Sequence, residues 1–223
     1  MAEKMIFMVD DKKPFVEIII DYLFVPGFAP VQRKKNVTNL FYSIKEKYPM
    51  KKVLEVSTKS DNELGKMLSA FSLKMDGHFL ESIFQSSKVF DGNIQYTDLL
   101  DKKPSDAKKF IYNLENKKLI CFRYNGEEYP LKPESLFYDY MYVRALYQNK
   151  EISSQLVNYD IFTDIEFNYK KSINCQARSC AIFVFLYKNS MLEKYINDLE
   201  LFKKIYGKDK NEPDNLFDLW KRG

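Results

Sequence analysis

The sequence predicts an α+β fold, mostly helical, with small antiparallel sheets. Three observations carry this. More of the chain has apolar residues at helical spacing than in strand-like runs. Two apolar pairs of segments are split by hairpin dipeptides, Asp76-Gly77 and Asn125-Gly126. No repeat, low-complexity tract or linker interrupts the 223 residues, and Gly (7) and Pro (8) are too few for a loop-dominated chain.

The elements follow in order. Phe15–Val25 is rich in Ile, Val and aromatics and stops at Pro26-Gly27, as a strand does. Val37, Leu40, Phe41, Ile44 and Tyr48 share a helical face that ends at Pro49, which predicts a helix over Asn36–Tyr48. Val53–Val56 reads as a short buried strand. Asp61 suits the N-cap of a helix carrying Leu64, Met67, Leu68 and Phe71. The first hairpin joins Leu73–Met75 to His78–Leu80, and Glu81–Phe90 follows as a helix. The second joins Leu119–Tyr124 to Glu127–Leu131. Pro133 suits a first helical turn, with Leu136, Tyr140, Val143 and Tyr147 as the apolar face. Ser153–Tyr159, Asn174–Tyr187 and Met191–Tyr206 are further helices, and the tail from Gly207 is polar until Leu216–Trp220.

Composition narrows the function. Hydrophobic residues make up 45% and charged residues 30%, as in ordinary globular proteins. No apolar run reaches the roughly 20 residues of a membrane span. The opening MAEKMIFMVDDKK lacks the order of a secretory signal. Three Cys give no disulfide framework, so a reducing, cytoplasmic setting is expected. One His, and no CxxC or HExxH, predicts no metal site; the absence of a P-loop and of GxGxxG predicts no glycine-built phosphate cradle. Net charge is only +4, but Arg33, Lys34, Lys35, Lys45, Lys47, Lys51 and Lys52 are opposed within Val31–Lys52 by Glu46 alone. This run suits either a solvated helix face or a surface for phosphates. Aromatics at 16% suit a well-filled core, with stacking surfaces for bases as a second use.

Three clusters could carry chemistry. Glu81, Gln85 and Lys88 stand at i, i+4 and i+7, one face of a helix, so a carboxylate, an amide and an amine align. They read either as an exposed polar stripe or as a carboxylate–lysine pair in a cleft, where each charge favours the other and burial opposes both. Asn174, Gln176 and Arg178 open the most apolar helix, where free N–H groups and a guanidinium fork suit an anion as well as they suit an ordinary cap. Thr163-Asp164-Ile165-Glu166 is either a solvated acidic turn or an acid/base site. Cys175 and Cys180 read as buried thiols, and His78 as a turn residue.

At these residues the chain resembles the NADAR (YbiA-like) family. That family's core runs from a Leu-Ser-Asn-Phe segment through a hairpin into a helix near Ser-x-Glu-His-x-x-Gln-Ala-x-Lys-Phe. Here the order is Leu68-Ser69-Ala70-Phe71, the Asp76-Gly77 hairpin, then Glu81, Gln85 and Lys88. Ala70 stands where the family has Asn, Ile83 where it has His, and no Trp-Gly follows Asp164. Lys59-Ser60, Thr163–Asn168 and Lys171–Ser179 look closest to the antitoxins encoded beside Dar-type toxins that ADP-ribosylate guanine in DNA.

The resemblance implies a single YbiA-like domain: an N-terminal extension of strands and a basic helix over 1–55, a core over 56–190, and a C-terminal helix and tail over 191–223. It implies an N-glycosidase that removes ADP-ribose from modified guanine without a cofactor. Glu81 would stabilise the oxocarbenium ion, Lys88 would attack C1 or orient groups, and Asp164 would serve as a second acid/base. Ser69, Phe71, Gln85, Asn174, Gln176 and Arg178 would hold ADP-ribose. Arg33, Lys34, Lys35, Lys51 and Lys52 would contact DNA phosphates. The competing readings are a non-catalytic ADP-ribose or NAD-binding module, neutralisation of the cognate toxin by direct contact, and hydrolysis of a small N-glycoside.

Overall fold

The computed structural model describes residues 1–27, 29–114 and 117–207. The fold is α+β, as the pattern predicts. Strand β1 (Ala2–Met8) turns at Asp10, whose Oδ1 accepts the N–H groups of Lys12 and Lys13, into β2 (Val16–Tyr22). Helix α1 (Pro30–Lys47) follows, with Pro30 in its first turn, where a missing N–H costs nothing. It starts a turn and a half before its apolar periodicity does. Next come β3 (Val53–Glu55) and α2 (Glu63–Met67), capped by Asn62 rather than Asp61: Asn62 Oδ1 accepts the N–H of Leu64 at 2.9 Å.

Both hairpins form as expected. β4 (Lys74–Met75) pairs with β5 (His78–Phe79) across Asp76 and Gly77, both at positive φ (52° and 86°). The helix expected over Glu81–Phe90 is corrected. Helix α3 (Leu80–Ser86) ends early, because the hydroxyls of Ser86 and Ser87 both bond the Ile83 carbonyl and compete with the helical amide. Lys88 begins strand β6 (Lys88–Phe90), followed by β7 (Ile94–Gln95) and α4 (Pro104–Tyr112). The second hairpin joins β8 (Leu119–Tyr124) and β9 (Glu127–Tyr129), with Asn125 and Gly126 at φ 52° and 82°.

Helix α5 (Leu136–Gln148) starts three residues after Pro133, and α6 (Lys150–Leu156) leads to β10 (Ile161–Thr163). α7 (Gln176–Lys188) is buried on every side from Gln176 to Leu186, the pattern of a central helix. The single helix expected over Met191–Tyr206 is instead α8 (Leu192–Ile196), α9 (Leu199–Lys203) and a 3-10 turn. Asp198 breaks the run by capping α9, accepting the Leu201 N–H at 2.9 Å. The expected segment Leu216–Trp220 lies outside the described residues. Among the described residues no helix is long and apolar enough to cross a membrane.

The strands of the N-terminal segment belong to one sheet with a late strand. Its order is β2-β1-β10-β3, antiparallel except for the β10–β3 pair. Both faces are covered. Ile6, Ile20, Leu40, Ile44 and Ile161 pack on the α1 side. Phe7, Leu54 and Phe162 pack on the other, into the core built by α5 and α7. A second sheet, β7-β6-β8-β9, is joined to α5 by aromatic packing: Phe122 stacks on Phe137 at 4.5 Å, and Tyr129 lies 5.0 Å from the same ring; Phe84 of α3 meets Tyr138 edge-on at 5.2 Å.

α2 sits so close to β3 that Gly65 is required there. A Cβ at that position would lie 2.0 Å from the Glu55 carbonyl oxygen and 2.3 Å from Ser60 Oγ. Gly65→Ala is therefore expected to destabilise the protein by about 1–3 kcal/mol, read as a lower melting temperature. Unchanged melting would mean that α2 moves aside without cost.

Candidate functional site

A cleft of about 530 Å³ opens where the β3, α3, α5 and α7 segments meet. The first hairpin builds one wall. It turns the chain so that the N–H of Leu80 bonds the Leu73 carbonyl (2.9 Å) and that of Glu81 bonds the Ala70 carbonyl (3.0 Å). Glu81 is thereby held beside Ser69, Ala70 and Phe71, all of which line the cleft. Gln176, at the start of α7, ties this wall to the sheet: its Oε1 accepts the Ala70 N–H at 3.0 Å and its Nε2 donates to the Val56 carbonyl.

Glu81 is 5% exposed. Its Oε1 accepts from Gln85 Nε2 at 2.8 Å, and Gln85 Oε1 accepts from Lys88 Nζ at 2.8 Å. Carboxylate, amide and amine form a relay although Lys88 lies beyond the helix; the early turn at Ser87 brings it back. Lys88 also sits 4.8 Å from the Phe84 ring centroid. Burial lowers its amine to about 8, against the opposing pull of Glu81. Glu81 and Gln85 line the cleft, with Lys88 behind them on the Gln85 side.

On the facing wall, Asp164 follows β10. Its Oδ1 accepts the N–H groups of Glu166 (3.0 Å) and Phe167 (3.2 Å). Beneath it, buried Glu55 accepts from Ser57 Oγ, Thr163 Oγ1 and the Ile165 N–H. Buried Lys4 donates to the Ile165 and Phe167 carbonyls. The turn Thr163–Phe167 is thus fastened from two strands. Burial, and then the Glu55 charge, raise Asp164 to about 7. Burial also lowers the Lys4 amine, and Asp164 and Glu55 pull it back up.

Asn174 lines the cleft, and its Oδ1 is buried with no hydrogen-bond partner among the described residues. Arg178 is placed differently. It is buried in an ion pair with fully buried Asp139 (Nε to Oδ2, 2.9 Å) and donates to the Ile173 carbonyl; Tyr206 also bonds Asp139, at 2.7 Å. It does not line the cleft. Of the basic run, Arg33 reaches the cleft and pairs with Glu166. Lys34 pairs with Asp61 at 2.6 Å, and Lys35 is exposed on α1. Lys51 and Lys52 stand past the far end of α1, where Lys51 lies 3.6 Å from Asp160. The run is therefore split along a helix about 27 Å long.

Residues that the sequence did not single out complete the cleft. Lys108 of α4 stands at its edge, 4.0 Å from Glu81 Oε1 and 5.3 Å from the Phe71 ring centroid. Tyr138 lines it from α5, and Glu166, already named with the acidic turn, lines it beside them. Nothing local marks Lys108 among the chain's other surface lysines. Tyr138 is one of many α5 aromatics.

The cleft thus gathers the buried carboxylates Glu81 and Asp164 among Arg33, Lys59, Lys108 and Lys171, an arrangement whose charge suits a polar, anionic ligand. The chain belongs to the family of DarT1-associated NADAR antitoxins, whose sequence model matches residues 2–215. The match begins within β1, so the first sheet lies inside the matched span. No curated protein matches the chain.

Proposed function

We propose that this antitoxin is an N-glycosidase that removes ADP-ribose from ADP-ribosylated guanine in DNA and so reverses the toxin's modification. The observation that carries the reading is Glu81: a buried carboxylate on the cleft wall, its Oε1 facing Lys108 and held by Gln85. Breaking a ribosyl C1–N bond builds positive charge at C1, and a fixed carboxylate in a partly dry site stabilises that charge. Lys59 and Lys171 offset the diphosphate, Phe71 and Ser69 flank a ribose or the adenine, and the unpartnered Asn174 oxygen accepts a ribose hydroxyl. Arg33, with Lys34 and Lys35 on the same turn of α1, takes the flanking DNA phosphates. Gln176 and Arg178 act through the walls they brace.

The lowered Lys88 amine favours a covalent route for the same reaction. Lys88 does not line the cleft, so its Nζ first swings past Gln85; neutral Nζ then bonds C1 as the C1–N bond breaks, and the electron pair leaves with guanine, which gains a proton from Asp164. The ribose ring then opens to a lysine imine, and water hydrolyses it to free ADP-ribose and Lys88. Near neutrality Asp164 retains a proton to give.

The test is a single-stranded oligonucleotide carrying ADP-ribosyl guanine. The expected products are free ADP-ribose and the unmodified strand, separated by mass. ADP-ribose held but never released would make the protein a binding module. Release from small N-glycosides but not from DNA would move the substrate to a metabolite.

A further inference from the structure

A second cavity, of about 330 Å³, adjoins the cleft. Two elements wall both. In the loop after β3, Ser57, Thr58 and Lys59 face the cleft, whereas Ser60, Asp61 and Asn62 face the second cavity. On α1, Arg33 reaches the cleft and Val37, one turn later, reaches the second cavity. Arg33 and Tyr42 are nine residues apart on α1, about 13–14 Å along its axis, a distance that a stretched single strand covers in about two nucleotides.

The second cavity is a groove with an apolar floor of Val37 and Val53, and half-buried Phe41 beside it. Tyr42 forms its lip and is 69% exposed, a large ring turned to solvent at the edge of an apolar slot. Among the described residues one lysine lines it, beside the acids Glu55 and Asp61, and two more stand before it on α1. Lys45 lines it, with Nζ anchored on the Lys51 carbonyl at 2.7 Å. Lys34 stands across it on Asp61, and Lys35 is exposed on the preceding turn. An apolar slot with an open aromatic edge and lysines beside it complements a flat base on a phosphate chain.

We propose that this groove receives an unmodified base about two nucleotides from the ADP-ribosylated one on the same single strand, stacked on Tyr42, with Lys34, Lys35 and Lys45 along its phosphates. The proposal rests on the reading of the cleft as a site for modified DNA, and it assigns that site a preference for strands over free nucleotides. Duplex DNA enters only where it is locally open, because a paired base cannot leave its stack to fill the slot.

The experiment measures Kd by fluorescence polarisation at low salt with two labelled single-stranded eight-mers of equal charge, one unmodified and one abasic throughout. The wild type is expected to bind the base-bearing strand roughly 5- to 100-fold more tightly. Tyr42→Ala is expected to lose that preference, and Tyr42→Phe to keep it, since the ring and not the hydroxyl stacks. Equal affinity of the wild type for the two strands overturns the proposal whatever the variants do. So does a preference that survives in Tyr42→Ala. The glycosidase reading is scored separately, by release of ADP-ribose from the modified strand. Release without a base preference keeps the cleft's chemistry and removes the groove. A Tyr42-dependent preference without release keeps the groove as a base site and removes the chemistry.

Discussion

Glu81→Gln is expected to release ADP-ribose from modified guanine on the order of 10²–10³ times more slowly than the wild type. The amide keeps the size and shape of the carboxylate, so the effect isolates charge. It falls on turnover because the positive charge at C1 exists only as the bond breaks. Binding of free ADP-ribose should change far less, which distinguishes this loss from a collapsed cleft. Single-turnover release on the modified oligonucleotide, with calorimetry on ADP-ribose, measures both. A rate within about twofold of wild type would remove Glu81 from the mechanism.

Lys88→Arg is expected to abolish covalent trapping. With borohydride present, the wild type should gain an ADP-ribosyl mass on Lys88 as the imine is reduced, and the variant should gain none. Arginine keeps the charge and a donor for Gln85 Oε1, so only nucleophilicity is withdrawn. The pH profile carries the same signature. An amine lowered to about 8 is charged below that pH, so about a tenth is neutral at pH 7 and most is neutral at pH 9. The wild-type single-turnover rate should therefore follow a bell with its maximum between pH 7 and 8, falling below it as Lys88 gains a proton and above it as Asp164 loses one. Full activity in Lys88→Arg, with no adduct in the wild type, would leave water as the attacking group and Lys88 as the residue that holds Gln85 in place.

Much of this architecture was legible because it is local. Asp76-Gly77 and Asn125-Gly126 need positive φ at both positions, and the sequence supplies residues that tolerate it. Glu81 and Gln85 are one helical turn apart, and they bond as that spacing requires. Lys88 reached the same cluster by another path. The reading that put it on the helix face missed how Ser86 and Ser87 end the helix. What stayed hidden depends on partners far along the chain. β10 is three residues long and gains its strand character from β1 and β3 on either side. Ala2–Met8 carries Glu3 and Lys4 and looks like a polar start until β2 and β10 flank it. Arg178 has the local setting of an anion binder, but its fate is decided by Asp139 on α5. Pairings of this sort leave no periodicity to read.

The sheet order also sets when the antitoxin becomes competent during synthesis. Phe7 pairs with Phe162, and Lys4 fastens the turn that carries Asp164. β1 thus waits for β10, far later in the chain, before the cleft's acidic wall exists. Pairing across such a separation is slow, because the chain entropy of closing the loop is lost before any contact offsets it. A nascent or truncated chain ending before β10 has the Glu81 wall but no facing wall. A competent cleft is therefore expected only after β10 has been made. A cell that halts translation loses new antitoxin activity at once and depends on the molecules already folded.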